Sequence, residues 1–259
     1  MPTAASASTI ATVNILLLQP EEVDPEGKAR LTGRRAVHAH TVLRAEVGQE
    51  LAAGLLGGGL GKAVILAMGP EELVVATHFA PPAPSPEDVL LLAVPRPKVL
   101  LRMLAHAAAL GFGRIVLFRS WRTEKSHLAS TAMDPTVQRE HLLLGLEQAG
   151  RTRLPTVQFF PLFKPMVEDS LDQLELPAQR FLAHPRALVP THSLRLAARA
   201  PLALALGPDG GFLPYEVEQL QAHGFFAVHC GSHPLRTESA LSVLWGQLDL
   251  LRQRGSLPQ

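Results

Sequence analysis

A proline-rich stretch divides this chain of 259 residues into two parts of different character. It reads Pro81-Pro82-Ala83-Pro84-Ser85-Pro86, four prolines in six residues. Proline fixes φ and lacks an amide proton, so a run of this kind cannot lie inside a core helix or strand and favours a stiff, extended linker. We therefore predict a linker at residues 81–86, a first domain at residues 1–80 and a second at residues 87–259.

The first part is predicted to be rich in β-strands. Short apolar or alternating runs, separated by Gly, Asp and Pro, are typical of a small barrel. The predicted strands are residues 14–18, 36–43, 50–55, 63–68 and 73–78. Within the second of them, His38 and His40 would share one face, because alternate residues of a strand point the same way.

The second part alternates strands with helices, which predicts an α/β fold with a mostly parallel sheet covered on both faces. The predicted strands are residues 89–94, 114–118, 156–160, 180–183, 201–206 and 225–230. The predicted helices are residues 98–110, 138–149, 213–223 and 237–254.

Composition limits the classes of protein to consider. The net charge is only +1, yet residues 28–44 hold five cations and no acid, and residues 96–125 hold seven cations and one acid. Such clusters either face phosphates or are solvated surfaces balanced elsewhere. The single cysteine, Cys230, permits neither an internal disulfide nor a cysteine-based zinc site, and the histidines show no metal-ligand spacing.

The apolar runs are too short for a signal-peptide core or a membrane span. We expect a cytoplasmic protein with a loose start at residues 1–9, no metal and no membrane partner. One cysteine also fits a reducing compartment.

A glycine-rich turn follows the predicted strand at residues 201–206. It reads Gly207-Pro208-Asp209-Gly210-Gly211, and Pro214 then suits the first position of a helix. Glycines at the carboxyl end of a parallel strand let the backbone approach a ligand closely. Neither the dinucleotide-binding pattern nor the phosphate-binding P-loop is present. By itself a turn of this kind is more often structural than functional.

A second turn follows the strand that ends at Cys230. It reads Gly231-Ser232-His233-Pro234-Leu235-Arg236-Thr237-Glu238-Ser239-Ala240. Thr237 is predicted to cap the last helix, with Arg236 and Glu238 beside the cap at the edge of the sheet where α/β proteins bind ligands. The alternative is a cap with a local ion pair of small energetic value.

Together, residues 207–211 and 235–240 resemble the C-terminal signature of the RsmE family. These are SPOUT-class methyltransferases that act on N3 of a uridine in small-subunit (16S) ribosomal RNA. Residues 147–155 (Glu147-Gln148-Ala149-Gly150-Arg151-Thr152-Arg153-Leu154-Pro155) and residues 38–44 with Gly48 resemble two further segments of that family.

The resemblance implies a PUA-like RNA-binding β-barrel followed by a trefoil-knotted SPOUT methyltransferase domain. It also implies a homodimer with the pocket near the subunit interface, and S-adenosylmethionine as cofactor. The residues that would bind the cofactor are His184, Pro185, Leu206, Gly207, Pro208, Asp209, Gly210, Gly211, Cys230, Gly231, Leu235 and Thr237.

Arg236 and Glu238 are the candidate catalytic residues. Arg236 would stabilise the anion of uracil N3, and Glu238 would orient Arg236, take the proton through water, or serve only helix electrostatics. The candidate RNA-facing cations are Arg34, Arg35, Arg44, Arg119, Arg122 and Lys125. Trp121 would stack on a base or lie in the core.

Some positions depart from the family pattern. His106 and Ala109 replace a Lys and a Glu, and Gly57-Gly58-Gly59 stands where an Asp-Gly turn is usual. The exact target nucleotide therefore stays open, as does whether assembled small subunits or naked RNA are the substrate. The alternatives are methylation of another RNA such as transfer RNA, a non-catalytic RNA-binding relative, and a nucleotide-dependent α/β enzyme.

Overall fold

The computed structural model describes residues 14–254. The chain forms two compact units, an N-terminal one of Met1–Ala83 with Leu146–Thr152, and a C-terminal one of Pro84–Gly145 with Arg153–Gln259. The division falls inside the proline-rich stretch, which carries no helix or strand. The expected loose start at residues 1–9 lies outside the described residues.

A five-stranded sheet forms the N-terminal unit. Its strands are β1 (Leu16–Leu18), β2 (Lys28–Thr32), β3 (Glu50–Leu55), β4 (Leu60–Met68) and β5 (Glu72–Phe79). They lie in the order β1-β3-β4-β5-β2, with β1 parallel to β3 and the other neighbours antiparallel. Four of these strands match predicted ones, whereas β2 was missed.

One predicted strand is wrong. Residues 36–43 were predicted to be extended, but Arg34–Thr41 forms a helix, α1, that packs against β2 and β5. Its buried residues, Ala36 and Ala39, are three apart, which is the spacing of one helical face. His38 and His40 therefore do not share a face, as they would on a strand.

Residues 146–152 belong to the N-terminal unit, although the sequence placed them in the second domain. The Glu147 carbonyl accepts the Ile15 N–H at 2.9 Å, and the Thr152 carbonyl accepts the Gly57 N–H at 2.7 Å. The Thr152 hydroxyl also donates to the Gly58 carbonyl at 2.7 Å. These hydrogen bonds hold residues 147–152 within the N-terminal unit. These residues are the first part of the segment 147–155 that resembles the RsmE family.

The C-terminal unit alternates strands and helices, as the sequence predicts. Its strands are β6 (Val89–Ala93), β7 (Arg114–Phe118), β8 (Thr156–Phe160), β9 (Gln179–Ala183), β10 (Val189–Pro190), β11 (Leu202–Leu206) and β12 (Phe226–His229). Its α-helices are α2 (Pro97–Leu110), α3 (Lys125–Leu128), α4 (Pro135–Ala149), α5 (Phe163–Pro165), α6 (Pro214–Ala222) and α7 (Thr237–Arg254). The helices α3 and α5 are single turns. The last residues of α4 group with the N-terminal unit.

The seven strands of this unit form one parallel sheet in the order β10-β12-β9-β11-β6-β7-β8. Every residue of β6 and β11 is buried, as expected for a parallel sheet covered on both faces. Alternate β6 residues Val89, Leu91 and Ala93 pack in a core with Phe163 and Leu220. The mostly parallel α/β architecture predicted from the sequence is confirmed.

The strand order determines where a ligand could bind. The strands β12, β9 and β11 are consecutive neighbours, and all run in the same direction. The residues that follow them, beginning at Cys230, His184 and Gly207, therefore emerge at one edge of the sheet. The crevice outside the carboxyl ends of parallel strands is the usual ligand site of such folds.

Candidate active site

A cavity of about 750 Å³ lies at that edge of the sheet. All twelve residues predicted to bind a cofactor line it, together with Arg236 and Glu238. Since these residues come from three segments distant in the sequence, the fold brings together what the motifs predicted separately. The volume of the cavity lies within the usual range of ligand pockets, roughly 300–1,000 Å³.

The first loop, residues 207–213, has a backbone shape that needs glycine. Gly211 has φ +70°, and its N–H donates to the Pro208 carbonyl at 2.7 Å. A Cβ at Gly210 would lie 3.1 Å from Cδ of Arg122, whose guanidinium donates to the Gly210 carbonyl. The loop thus combines a left-handed residue with a close side-chain approach, and both favour glycine.

A buried carboxylate anchors the end of the first loop. Glu216, in the first turn of α6, is only 1% exposed. It accepts the Leu213 N–H at 2.8 Å and the Trp121 N–H at 2.9 Å, so one side chain caps α6 and holds the segment after β7. Pro214 is the first residue of α6, as predicted.

The second loop, residues 230–236, is held by side chains of its neighbours. Gln247 of α7 donates to the Cys230 carbonyl at 3.2 Å. His229 Nδ1 lies 2.9 Å from the Gly231 carbonyl and donates to it, because a carbonyl oxygen can only accept a hydrogen bond. Burial raises the pKa of the Cys230 thiol above its ordinary value, so the thiol is protonated at neutral pH.

The start of α7 differs from its prediction. Thr237 is the first helical residue, and the Arg236 carbonyl accepts the Ala240 N–H at 2.8 Å. Arg236 therefore occupies the N-cap position predicted for Thr237. Its exposed side chain makes no hydrogen bond or ion pair with any residue in the range 14–254.

Glu238 does not orient Arg236. Its carboxylate accepts a hydrogen bond from Nε of Arg102 at 2.6 Å, and the same pair forms an ion pair. The expectation that Glu238 positions the neighbouring arginine is therefore wrong in this structure. Glu238 instead ties the first turn of α7 to α2.

Two arginines at the N-terminal half of α2, Arg96 at its N-cap and Arg102 within it, contribute to the site without having been predicted to do so. Arg96 precedes α2 and pairs with Asp209 of the first loop at 3.2 Å, while Arg102 pairs with Glu238 after the second loop. Both arginines line the cavity. The signal was present in the basic cluster at residues 96–125, because this cluster begins at the carboxyl end of β6, which lies beside β11.

Beside the two loops, the segment at residues 183–185, which contains His184, also lines the cavity. The Nδ1 of His184 accepts the Arg186 N–H at 3.2 Å, which requires an unprotonated Nδ1. Burial and, to a smaller extent, the charge of Arg186 lower the pKa of the imidazole below its ordinary value. Hydrogen bonding and electrostatics thus agree on a neutral ring at neutral pH.

Comparison with known proteins identifies the family. An RNA methyltransferase domain profile matches residues 83–248. A curated relative from Treponema pallidum, the ribosomal RNA small subunit methyltransferase E, is 31% identical over 241 residues, covering 88% of this chain and 87% of the relative. Its namesake from Mycobacterium bovis is 25% identical and covers 89% of each chain. The chain belongs to the RsmE family of RNA methyltransferases.

Solved structures have the same fold. The ribosomal RNA small subunit methyltransferase E from Neisseria gonorrhoeae bound to S-adenosyl methionine superposes with a TM-score of 0.67 at 19% identity, covering 91% of this chain and 95% of that one. A putative methyltransferase from Legionella pneumophila in complex with SAM gives 0.68 at 21% identity, covering 91% and 96%. His106 and Ala109, where this chain departs from the RsmE pattern, are not among the residues that line the cavity.

The candidate RNA-facing arginines of the N-terminal unit differ in their exposure and in their hydrogen-bond partners. Arg44 is exposed, whereas Arg34 donates twice to the Glu147 carboxylate at 2.9 Å. Arg35 is only 20% exposed and donates to the Leu17 carbonyl and to Glu22, at 2.8 and 2.9 Å. Arg35 therefore stabilises the unit internally and is not an RNA-facing residue.

The candidates of the C-terminal unit lie around the segment after β7. Lys125 and Arg122 are exposed, and Arg119 is half-buried. Arg122 also bonds to the first loop, as described above. Trp121 is 81% exposed, so the core position considered for it is wrong.

Two kinds of feature are absent from the described residues. Across residues 14–254, no three His, Cys, Asp or Glu side chains converge as a set of metal ligands. Nor does this part of the chain contain a helix long and apolar enough to cross a membrane.

Proposed function

We propose that this member of the RsmE family transfers the methyl group of S-adenosylmethionine to N3 of a uridine in small-subunit (16S) ribosomal RNA. One observation carries the proposal: two glycine-containing loops and the His184 segment line a single cavity at the carboxyl edge of the parallel sheet. Membership of an RNA methyltransferase family supports the reaction class. The names of the relatives support the ribosomal substrate.

The lining fits a nucleoside that carries an amino-acid tail. Gly211 and Gly231 line the cavity. Apart from the glycine itself and its two chain neighbours, no heavy atom of the described residues lies within 4 Å of where a Cβ would stand at either position, so bare backbone faces open space. Apolar walls come from Leu206, Leu235 and Leu244. Two lining arginines, Arg96 and Arg102, are already paired with acids, which disfavours a polyphosphate ligand.

When bound, S-adenosylmethionine supplies an activated methyl group on a sulfonium. Uridine N3 carries a proton and must lose it, which leaves negative charge on O2, N3 and O4. Arg236 meets this need, because its guanidinium, which has no partner among residues 14–254, stands at the N-terminus of an 18-residue helix. The helix dipole adds to its positive potential, so both favour the anion that develops as N3 is deprotonated.

The RNA must present an unstacked base to this cavity. Exposed Arg44 in the N-terminal unit, and Arg122 and Lys125 in the C-terminal unit, are the cations we propose to contact phosphates. We assign the N-terminal unit as a PUA-like RNA-binding barrel. The proposal also includes the trefoil knot through the two loops, a homodimer with the cavity near its interface, and action in the cytoplasm.

A methylation assay with the wild-type protein tests the proposal. Purified wild-type protein should transfer label from S-adenosylmethionine to small-subunit RNA, or to small subunits, taken from a strain that lacks this gene. Mass mapping should locate the product as one N3-methyluridine. No transfer to either substrate would refute the proposed function.

Arg236→Ala should lower methyl transfer by a factor of about 10²–10³, since that is the usual loss when a group stabilising a developing anion is removed. Calorimetry should show cofactor affinity nearly unchanged. Arg254→Ala removes an exposed arginine at the other end of the same helix and should match wild type. Unchanged turnover in Arg236→Ala would remove this residue from the mechanism.

A further inference from the structure

An exposed tryptophan, Trp121, is next to a residue that bonds to the first loop. Trp121 is 81% exposed, although tryptophan is among the side chains that gain most from burial. Its indole makes no hydrogen bond or ring contact with another residue of the range 14–254. The second tryptophan, Trp245, packs beside Arg252, so exposure is particular to Trp121.

The backbone that carries this ring is held firmly. The Trp121 N–H donates to the buried Glu216 carboxylate at 2.9 Å. Ser120, immediately before it, is buried, and its N–H donates to the Thr123 hydroxyl at 3.3 Å. A large flat ring on a fixed backbone loses little conformational entropy on binding, which favours recognition by stacking.

The position of the ring connects it to the cavity. Arg122, the next residue, bonds to the Gly210 carbonyl of the first loop, and Glu216 also holds Leu213 at the end of that loop. Tyr215, adjacent to Glu216, is a second exposed aromatic side chain at 43% exposure. The ring of Tyr215 packs edge-on against Phe163. Trp121 and Tyr215 are therefore each next to a residue that bonds to the first loop, and residues of this loop line the cavity.

The charge around the ring selects the kind of ligand. Arg119, Arg122 and Lys125 lie within four residues of Trp121, and Glu124 is the only acid among residues 114–130. Aromatic rings interleaved with cations are the usual surface for single-stranded nucleic acid, because a base stacks on the ring while the cations contact the phosphates. A purely apolar protein partner would not need these charges.

We infer that Trp121 is the stacking platform for an unpaired nucleobase of the RNA substrate, next to the nucleotide that enters the cavity. This inference rests on the proposed function and extends it by naming a second base-binding subsite. Tyr215 lies at the margin of the same subsite, and Arg122 contacts the phosphate that joins the two nucleotides while it holds the first loop.

Binding of a short single-stranded oligoribonucleotide, with one central uridine, tests the subsite. Fluorescence anisotropy would give its Kd for cofactor-saturated wild type, Trp121→Ala, Trp121→Phe and the control Leu250→Ala, which truncates an exposed apolar residue near the far end of α7. Trp121→Ala should raise Kd roughly tenfold or more, since stacking of one base has that value. Trp121→Phe should recover most of the loss, and Leu250→Ala should match wild type.

A second oligonucleotide makes the test specific for stacking. Replacing each base beside the uridine in turn by an abasic site should weaken binding to wild type at one position and leave binding to Trp121→Ala unchanged there. Equal Kd values for wild type and Trp121→Ala, or an additive abasic effect at every position, would overturn the inference.

The two proposals fail in distinguishable ways. Methyl transfer by wild type with no change in the KM for RNA in Trp121→Ala would sink the subsite alone. A Trp121-dependent Kd without methyl transfer to any RNA would sink the proposed reaction and leave the subsite. Absence of any RNA binding by wild type would overturn both.

Discussion

His184 shows how one residue can be adapted to a pocket through its protonation state. Its Nδ1 is an acceptor for the Arg186 N–H, so a proton on that nitrogen would break the bond. Burial and the nearby guanidinium both oppose the imidazolium form and lower its pKa from the ordinary 6.5. A neutral ring in the cavity wall suits a cofactor that itself carries a positive sulfonium.

The lowered pKa of His184 predicts a pH dependence of stability. As pH falls below 6.5, the unfolded chain takes up a proton at this residue before the folded chain does. The contribution to stability is therefore complete above 6.5 and is lost as pH falls through the lowered folded pKa. His184→Asn keeps an acceptor for Arg186 but does not titrate, so its unfolding free energy should fall less steeply than that of wild type. Urea unfolding at a series of pH values on both sides of 6.5 checks this, and parallel slopes for the two proteins would contradict it.

Motif residues and their partners differ in how well a sequence reveals them. The glycine turn and the segment around Arg236 were predicted because backbone approach and helix capping need particular residue types at fixed spacing. Their partners Arg96 and Arg102 were not, because an arginine can pair with any acid that the fold brings near. Glu238 illustrates the difference, since sequence proximity favoured Arg236 while the structure pairs it with Arg102, 136 positions away.

At the scale of elements, periodicity predicted most strands and helices of the C-terminal unit and four of the five strands of the N-terminal unit, but it missed β2 and wrongly made α1 a strand. The strand β2 alternates exposed and buried residues, but only Ala29 and Leu31 are buried, which is a weak apolar signal. The helix α1 contains β-branched Val37 and Thr41, which favour strands, yet burial of Ala36 and Ala39 against the sheet decides for a helix. Short elements of this kind are determined by packing more than by intrinsic preference.

The tie between α2 and α7 predicts the role of Glu238. The Arg102–Glu238 pair is partly exposed, at 57% and 20% of the two side chains, so its worth is at most about 1 kcal/mol, roughly fivefold in a rate. If Glu238 only positions α7, Glu238→Gln and Arg102→Met should each lower kcat by no more than that factor. The double variant should be no worse than either, because all three break the same contact.

A general base would behave differently. Removing it would lower kcat by about 10²–10⁴ and would change the pH profile of kcat, whereas Arg102→Met would not. Rapid-mix methyl-transfer assays over a pH series therefore separate the two roles. A large loss confined to Glu238→Gln, together with an altered pH profile, would establish Glu238 as the base and refute its positioning role.

At the scale of the whole molecule, the order of the strands is what the sequence could not supply. Alternating strands and helices predict a parallel sheet, but the order β10-β12-β9-β11-β6-β7-β8 depends on contacts between residues far apart in the chain. The same holds for residues 146–152, whose composition resembles their surroundings but whose backbone bonds lie with the N-terminal unit. Only the resemblance to a family placed the two turns in one site.

The two edges of the parallel sheet have separate tasks. The cavity lies at the carboxyl edge, whereas a buried ion pair lies at the amino edge, where β6 and β11 begin. There the Arg252 guanidinium donates twice to the Asp88 carboxylate at 2.8 Å, and Asp88 also accepts the Leu202 N–H at 3.0 Å. The side chains of Asp88 and Arg252 are 9% and 12% exposed, so water screens this pair little.

Breaking this pair should therefore lower stability and leave the cavity unaltered. Arg252→Met leaves a buried carboxylate without its counter-charge, and the expected loss is about 3 kcal/mol or more in the free energy of unfolding. Adding Asp88→Asn removes the unpaired charge and keeps an acceptor for Leu202, so the double variant should be more stable than Arg252→Met alone. Arg254→Met, two residues along the same helix and exposed, should unfold like wild type.

Urea unfolding measures these differences in the free energy of unfolding, and calorimetry with S-adenosylmethionine should give the same Kd for all variants that are folded. If Arg252→Met weakened cofactor binding as strongly as it weakened stability, the amino edge would be coupled to the cavity, and the separation of the two edges would be wrong.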